Sequence, residues 1–191
     1  MSNQLIEDQD KIDEYLRIIQ ERILLPINRF EIQSSCTANL LLLFAAIDGL
    51  GKLLHPNDNA KVTSRIKSFF DFMGGDYAVR KKELVNLRHS LVHNAINVES
   101  YLSQTETGRE SHLRKIGAAG FIYVNTMVMS KDFNIAFERF KVELQNDSEL
   151  MKRAARRLEW IDDDAWDNLD VPGVATPTPP PSVQFIYSKG D

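Results

Sequence analysis

Apolar residues recur at helical spacing over much of the chain, and the pattern begins at the N-terminus. Between Leu5 and Leu25 the residues at helical spacing are Leu5, Ile12, Leu16, Ile19 and Ile23, with charged residues in between. This spacing predicts an amphipathic helix that Pro26 ends or kinks. The following segment is apolar nearly all round to about Leu54. Such a helix belongs at the centre of a bundle, and Ser34 or Ser35 is its predicted N-cap.

Two further helices are predicted after a turn at His55–Asp58. The first spans about Ala60–Met73. Gly74–Gly75 closes it, because glycine readily adopts the backbone conformation that ends a helix. The second helix runs from about Tyr77 to Leu102 and contains the chemically informative part of the chain.

The hydrophobic period then changes. His112–Ile116 and Phe121–Met129 flank the small residues of Gly117–Gly120, and residues that favour strands open the second arm. The pattern predicts a small β-hairpin at about 112–129. The polar segment Ser103–Glu110 before it is predicted to be a loop.

Helical spacing returns near Ser130 or Asp132. A core-facing stripe follows, made of Phe133, Ala136, Phe137, Phe140 and Leu144. Asp147–Ser148 is the predicted cap of one more helix, which runs to about Trp160. The sequence therefore predicts a mainly α fold, a helical bundle of four to six helices with a small inserted β-hairpin.

A change in composition marks the end of this domain. Five of the chain's seven prolines lie between Pro172 and Pro181, a density typical of extended or disordered chain. We therefore expect one domain at 1–165 and a proline-rich tail at 166–191.

Composition and charge narrow the class of protein. The longest apolar run, Leu40–Ile47, is too short to span a bilayer, no signal peptide is recognisable, and Cys36 is the single cysteine. These features predict a cytoplasmic protein without disulfides that does not enter a membrane. The formal net charge of −4 argues against unselective coating of nucleic acid.

Positive charge is nevertheless concentrated in one region. Between Lys61 and His93 there are seven Lys or Arg residues against three acidic residues. Such a stretch can hold a phosphate, and it can equally be the solvated face of two ordinary helices. Charge alone leaves both interpretations open.

The segment Asn86–Asn94 contains two of the four histidines, and Arg88 precedes His93 by five positions. At about 100° per residue, one apolar stripe faces the bundle's own core, formed by Leu84, Leu87, Leu91, Ala95 and Val98. A second apolar patch lies on another side of the helix, formed by Val85, Val92 and Ile96. Arg88 borders this patch on one edge and the two histidines border it on the other.

Two explanations of the second patch remain open. It can pack inside the same chain, and His89 and His93 are then ordinary boundary residues. Alternatively, it can meet a symmetry mate, which would gather Arg88 and the histidines of both chains around one cleft.

The stretch Arg88-His89-Ser90-Leu91-Val92-His93 resembles the signature of the higher-eukaryote-and-prokaryote nucleotide-binding (HEPN) domains: Arg, a polar residue, three further residues, then His. The resemblance covers about residues 34–145, with the hairpin as an insertion. It implies a helical bundle, a homodimer and, in active members, a metal-independent ribonuclease. Some HEPN toxins are silenced by modification of a Tyr two positions after the His. This chain has Ala95 at that position, so the resemblance does not imply such silencing.

The resemblance and the residue chemistry together assign roles. His93 is the expected general base or acid, because its pKa is near neutrality. Arg88 is the expected clamp on the phosphate, because guanidinium stays charged and is matched to phosphate oxygens. His89 is a second proton carrier or orients His93. Asn94 and the lysine pair Lys81–Lys82 are the expected substrate contacts.

The expected substrate is RNA, in a toxin or phage-defence role, with an antitoxin or another regulatory protein as a further partner. The alternative is a non-catalytic HEPN-like module that binds a nucleotide, RNA or a protein.

A metal site is the less favoured chemistry. His89 and His93 have the spacing of a zinc-binding helix, but Ser90 stands where a metalloprotease has Glu. His112 or Asp48 would have to complete the site. We expect no cofactor, a helix-packing role for Asp48 through a hydrogen bond to backbone, and a small core residue at Cys36.

Overall fold

The apolar stripes of the sequence form the core of a helical bundle that carries a small three-stranded sheet. The computed structural model describes residues 3–30, 36–57, 59–94, 100–105, 107–117 and 121–167. The mainly α fold with a small β insertion is as predicted.

The N-terminal helical region does not end at Pro26. Helix α1 (Asn3–Ile19) continues through a π-helical segment (Gln20–Leu24) into α2 (Leu25–Phe30). The amide of Leu25 donates to the carbonyl of Gln20, one residue further back than in an α-helix. The ring of Pro26 would crowd the carbonyl four residues earlier, and this wider turn lies where that crowding would occur.

Helix α3 (Cys36–Leu54) is the centre of the bundle, as its all-round apolar pattern predicts. It packs closely on α4 (Val62–Met73). A Cβ added at Gly51 would lie 2.2 Å from the carbonyl oxygen of Arg65, so glycine permits this approach. By length and composition alone α3 could also cross a membrane. Half of this apolar segment is buried in the bundle, however, and the core helix of a bundle can be equally long and apolar. The proposed caps Ser34 and Ser35 lie outside the described residues.

Helix α5 (Gly75–Asn94) is shorter than predicted. The sequence pattern extends it to Leu102, whereas Ser100–Ser103 forms strand β1. This strand pairs in parallel with β3 (Phe121–Asn125), from Ser100 opposite Ile122 to Ser103 opposite Asn125. A partner more than twenty positions away thus overrides a local pattern that also fits a helix.

The predicted hairpin is confirmed, with both arms shorter than predicted. Strand β2 (Lys115–Ile116) pairs antiparallel with β3, which lies between β1 and β2. The second arm ends at Asn125 and not at Met129. The Asn125 side chain accepts hydrogen bonds from the amides of Met127 and Val128, and this cap starts α6 (Thr126–Asn146) four residues before Ser130.

The last two helices complete the core. All five residues of the predicted stripe on α6 are buried. The carboxylate of Asp147 accepts from the amides of Glu149 and Leu150, as predicted, and begins α7. Helix α7 (Ser148–Asp167) extends beyond the predicted end at Trp160. Residues 166–167, which were predicted to belong to the tail, are the last residues of α7. The rest of the predicted tail, residues 168–191, lies outside the described part of the chain.

Candidate functional site

The Arg88–His93 motif lies on the last turns of α5, and the side chains of Arg88, His89 and His93 are accessible. His89 and His93 are exposed, and Arg88 is half-buried. The two imidazole rings lie 4.4 Å apart between centroids and are tilted by 48°. Residues four apart share one face of a helix, so the pairing follows directly from the sequence spacing.

The opposite face of the helix fixes this orientation. Leu84, Leu87 and Leu91 are at most 3% exposed and belong to the main core. Ser90, inside the motif, is buried beside them. The predicted core stripe is confirmed at these three leucines, while Ala95 and Val98 lie outside the described residues.

The second apolar patch divides into a covered part and an uncovered part. Val85 is partly buried and packs against the core of its own chain. Val92 remains 46% exposed, and Ile96 lies outside the described residues. Packing within the chain therefore accounts for Val85 and leaves Val92 open at the motif.

Helix geometry separates Arg88 from His93. His93 follows Arg88 by five positions, and at about 100° per residue the two side chains point roughly 140° apart around α5. Val92 lies between Arg88 and the two histidines on this surface. Within the described part of the chain, no carboxylate forms an ion pair with Arg88, His89 or His93. The arrangement offers one guanidinium and two imidazoles around an exposed apolar residue.

The predicted substrate lysines lie farther along the helix. Lys81 contacts both carboxylate oxygens of Asp71 at 2.6 Å, and Lys82 is exposed. Both are roughly 17 Å from His93 along the axis, at 1.5 Å per residue. They do not converge with His93 on one point of the surface. The side chain of Asn94 lies outside the described residues.

The structure corrects the interpretation of Asp48. Its two carboxylate oxygens accept from Nε and Nη2 of Arg65 at 2.8 and 2.9 Å, so its partner is a guanidinium on α4 and not a backbone amide. Cys36 is half-buried. In the described ranges, no group of three His, Cys, Asp or Glu residues could hold a metal ion.

A second polar cluster, at the other end of α5, was missed by sequence reasoning. The Tyr77 hydroxyl lies 2.9 Å from His112 Nε2 and 3.0 Å from Asp132 Oδ2. Arg109 Nη2 donates to Asp132 Oδ1 at 2.5 Å. These four residues span 55 positions and form no recognisable motif, so only the tertiary structure brings them together.

The hydrogen bonds determine the protonation of this cluster. His112 Nδ1 accepts from the amide of Asn125 at 3.0 Å, so the ring proton is on Nε2, which donates to the Tyr77 oxygen. The Tyr77 hydroxyl then donates to Asp132. Burial lowers the pKa of His112 to about 4. Burial, reinforced by Asp132, raises the pKa of Tyr77 above its ordinary value. His112 is thus neutral near pH 7 and has no free lone pair, so it positions its neighbours and is not a base.

Comparisons with family models, with curated proteins and with solved structures found no match to this chain.

Proposed function

We propose that this chain is a metal-independent endoribonuclease of the HEPN type that works as a homodimer. The observation that carries the proposal is the exposed His89–His93 ring pair on the same stretch of α5 as the half-buried Arg88, which no described carboxylate neutralises. Proton carriers and a permanent positive charge are the groups that RNA cleavage requires.

The proposed reaction uses the nucleophile that RNA itself contains. One histidine removes the proton of the 2′-hydroxyl, and the 2′-oxygen attacks the adjacent phosphorus. A second histidine donates a proton to the 5′-oxygen as the P–O5′ bond breaks. The products are a 2′,3′-cyclic phosphate and a 5′-hydroxyl. Arg88 binds the non-bridging oxygens, where negative charge accumulates in the transition state.

The dimer follows from the angular separation of the motif residues. Arg88 and His93 of one helix point roughly 140° apart, so one chain presents them poorly to a single phosphate. A two-fold axis near Val92 would bring Arg88 of one chain towards the histidines of the other. The exposure of Val92, at 46%, supports an interface at this place.

We assign the proposed enzyme to the cytoplasm, with RNA as substrate and a toxin or phage-defence role. An antitoxin or another regulatory protein is then the expected partner, because an unrestrained ribonuclease damages the cell that makes it. The lysine pair Lys81–Lys82 would contact a more distant part of the same RNA.

The decisive experiment compares His93→Ala with a matched histidine control. His93→Ala should lower RNA cleavage by about 10²–10⁴-fold, the usual contribution of a general acid or base. His55→Ala removes a histidine from the turn after α3 and should cleave as the wild type does. Arg88→Ala should lose activity comparably, and His89→Ala less if His89 only orients its neighbour.

The products test the proposed 2′-hydroxyl chemistry, and the His93→Ala variant, purified in the same way, controls for a contaminating nuclease. RNA fragments should end in 2′,3′-cyclic phosphate, and RNA with 2′-O-methyl groups at the cut site should resist. Equal cleavage by His93→Ala and wild type would refute the nuclease proposal. Retained RNA binding without cleavage by the wild type would instead identify the non-catalytic binding module.

A further inference from the structure

A cavity of about 310 Å³ lies at the N-terminal end of α5, far from the motif. Its walls come from three places: the first turn of α5, the segment 109–113 and helix α6. Pockets that bind small molecules begin at roughly 300 Å³, so the space suits a compact ligand. Tyr77 lies roughly 24 Å along the helix axis from His93, which makes this cavity independent of the proposed nuclease site.

Two guanidinium groups border the cavity from different walls. Arg109 is held by Asp132, which accepts from both of its terminal nitrogens. Arg139 lies 4.4 Å over the ring of Phe72 and donates to the Phe72 carbonyl. Each guanidinium is oriented by only some of its N–H groups. For the remaining N–H groups, no acceptor is found among the described residues.

Further donors lie on the third wall. Tyr77 and Ala78 both donate to the carbonyl of Gly74, whereas no described residue accepts from the amides of Gly75 and Asp76. The first amides of a helix carry partial positive charge, and Gly75 and Asp76 line the same cavity as the two arginines.

Two acidic residues, Asp132 and Asp76, offset the formal charges of the two arginines, and the helix end adds a partial positive charge. Asp132 is neutralised by Arg109 and also accepts from Tyr77. Asp76 is exposed in the first turn of α5. Arg139 therefore balances the charge of Asp76, and the partial charge of the helix end leaves the cavity slightly positive.

The geometry of the donors selects a tetrahedral anion. A carboxylate accepts hydrogen bonds mainly in its own plane, whereas a phosphate accepts from several directions. Donors from three walls therefore suit a phosphate. Leu113, Ile135 and Ala136 supply an apolar wall beside them. We propose that this cavity binds a small organic phosphate, with Arg109 and Arg139 holding the phosphate and the apolar wall holding a compact organic group.

Isothermal titration calorimetry of the full chain tests the proposal. The probes are glycerol 3-phosphate, inorganic phosphate and acetate. Glycerol 3-phosphate should bind more tightly than inorganic phosphate, and acetate should bind most weakly. If acetate bound as tightly as glycerol 3-phosphate, the proposed preference for a phosphate group would be refuted. If glycerol 3-phosphate and inorganic phosphate bound equally, the proposed contact between the apolar wall and an organic group would be refuted. No measurable heat from any probe would overturn the site itself.

Variants locate the binding. Arg139→Gln should weaken glycerol 3-phosphate binding at least about tenfold, which is about 1.4 kcal/mol. Arg139→Lys, which keeps the charge and loses the planar fork, should be intermediate. Arg114→Gln is the matched control, because Arg114 is an exposed arginine next to the wall segment 109–113 and does not line the cavity. An equal loss in Arg114→Gln and Arg139→Gln would refute the location.

Circular dichroism of each variant verifies that it remains folded. Arg109→Gln repeats the test from a second wall if Arg139→Gln is unstable. Because the readout is the heat of binding, a failed nuclease assay would leave this result unaffected, and RNA cleavage by Arg139→Gln should equal that of the wild type.

Discussion

Acidification should destabilise this fold through His112, which joins the end of β3 to the start of α5. The ring accepts from the Asn125 amide and donates to Tyr77, and it is only 6% exposed. Burial lowers its pKa from 6.5 to about 4. Asp132 opposes this shift and Arg109 reinforces it. A proton on Nδ1 would also break the bond from Asn125.

The pKa values set both the sign and the size of the effect. Between pH 6.5 and pH 4 the unfolded chain binds a proton at His112 and the native chain does not. The free energy of unfolding therefore falls as the pH falls through this window. The full shift corresponds to about 3 kcal/mol. Integration between pH 7 and pH 5 gives a loss of about 2 kcal/mol, a large fraction of the stability of a typical domain.

Urea unfolding followed by circular dichroism at pH 7 and pH 5 measures this loss. His112→Gln is the control, because an amide can donate to Tyr77 and accept from Asn125 without titrating. All other ionisable groups remain, so the difference between the two proteins isolates His112. The wild type should lose about 2 kcal/mol more than the variant. An equal loss in both proteins would refute the reasoning.

Three further predictions concern the interface, the chemistry and the helix cap. Val92→Glu should convert the dimer into a monomer, as measured by light scattering. Its helix content, measured by circular dichroism, should not change, because the core leucines of α5 are untouched. A monomeric wild type at micromolar concentration would contradict this prediction. RNA cleavage should survive excess EDTA, since proton transfer to and from histidine needs no cation, and loss that zinc or magnesium restores would favour a metal mechanism. Asn125→Ala should lower the free energy of unfolding by about 1–3 kcal/mol, since it removes the cap of α6 and the part-buried hydrogen bonds to the carbonyls of Thr105 and Thr107; a change below about 0.5 kcal/mol would contradict that role.

Much of the helical architecture could be predicted because it is encoded over short distances. The stripes on α5 and α6 recur every three or four residues, and burial of Leu84, Leu87 and Phe133 follows from that period. The cap at Asp147 follows from one side chain and two nearby amides. The contact between His89 and His93 is equally local, since four residues complete about one helical turn.

The errors occur where distant segments decide the structure. Ser100–Ser103 fits a helical pattern and becomes a strand because β3 offers a parallel edge. Asp48 bonds to Arg65, seventeen positions away, because Gly51 lets α4 approach α3. No hydrophobic period contains information about either contact.

The candidate sites divide in the same way. The sequence by itself determined the order of the helices, the face of α5 that enters the core, and the pairing of its two histidines, because each depends on neighbours within about one turn. Only the tertiary structure decided the exposure of Val92, and only it brought Tyr77, Arg109, His112 and Asp132 together beside a cavity. Those contacts join residues up to 55 positions apart, and their geometry is set by the packing of α5, β3 and α6 rather than by local spacing.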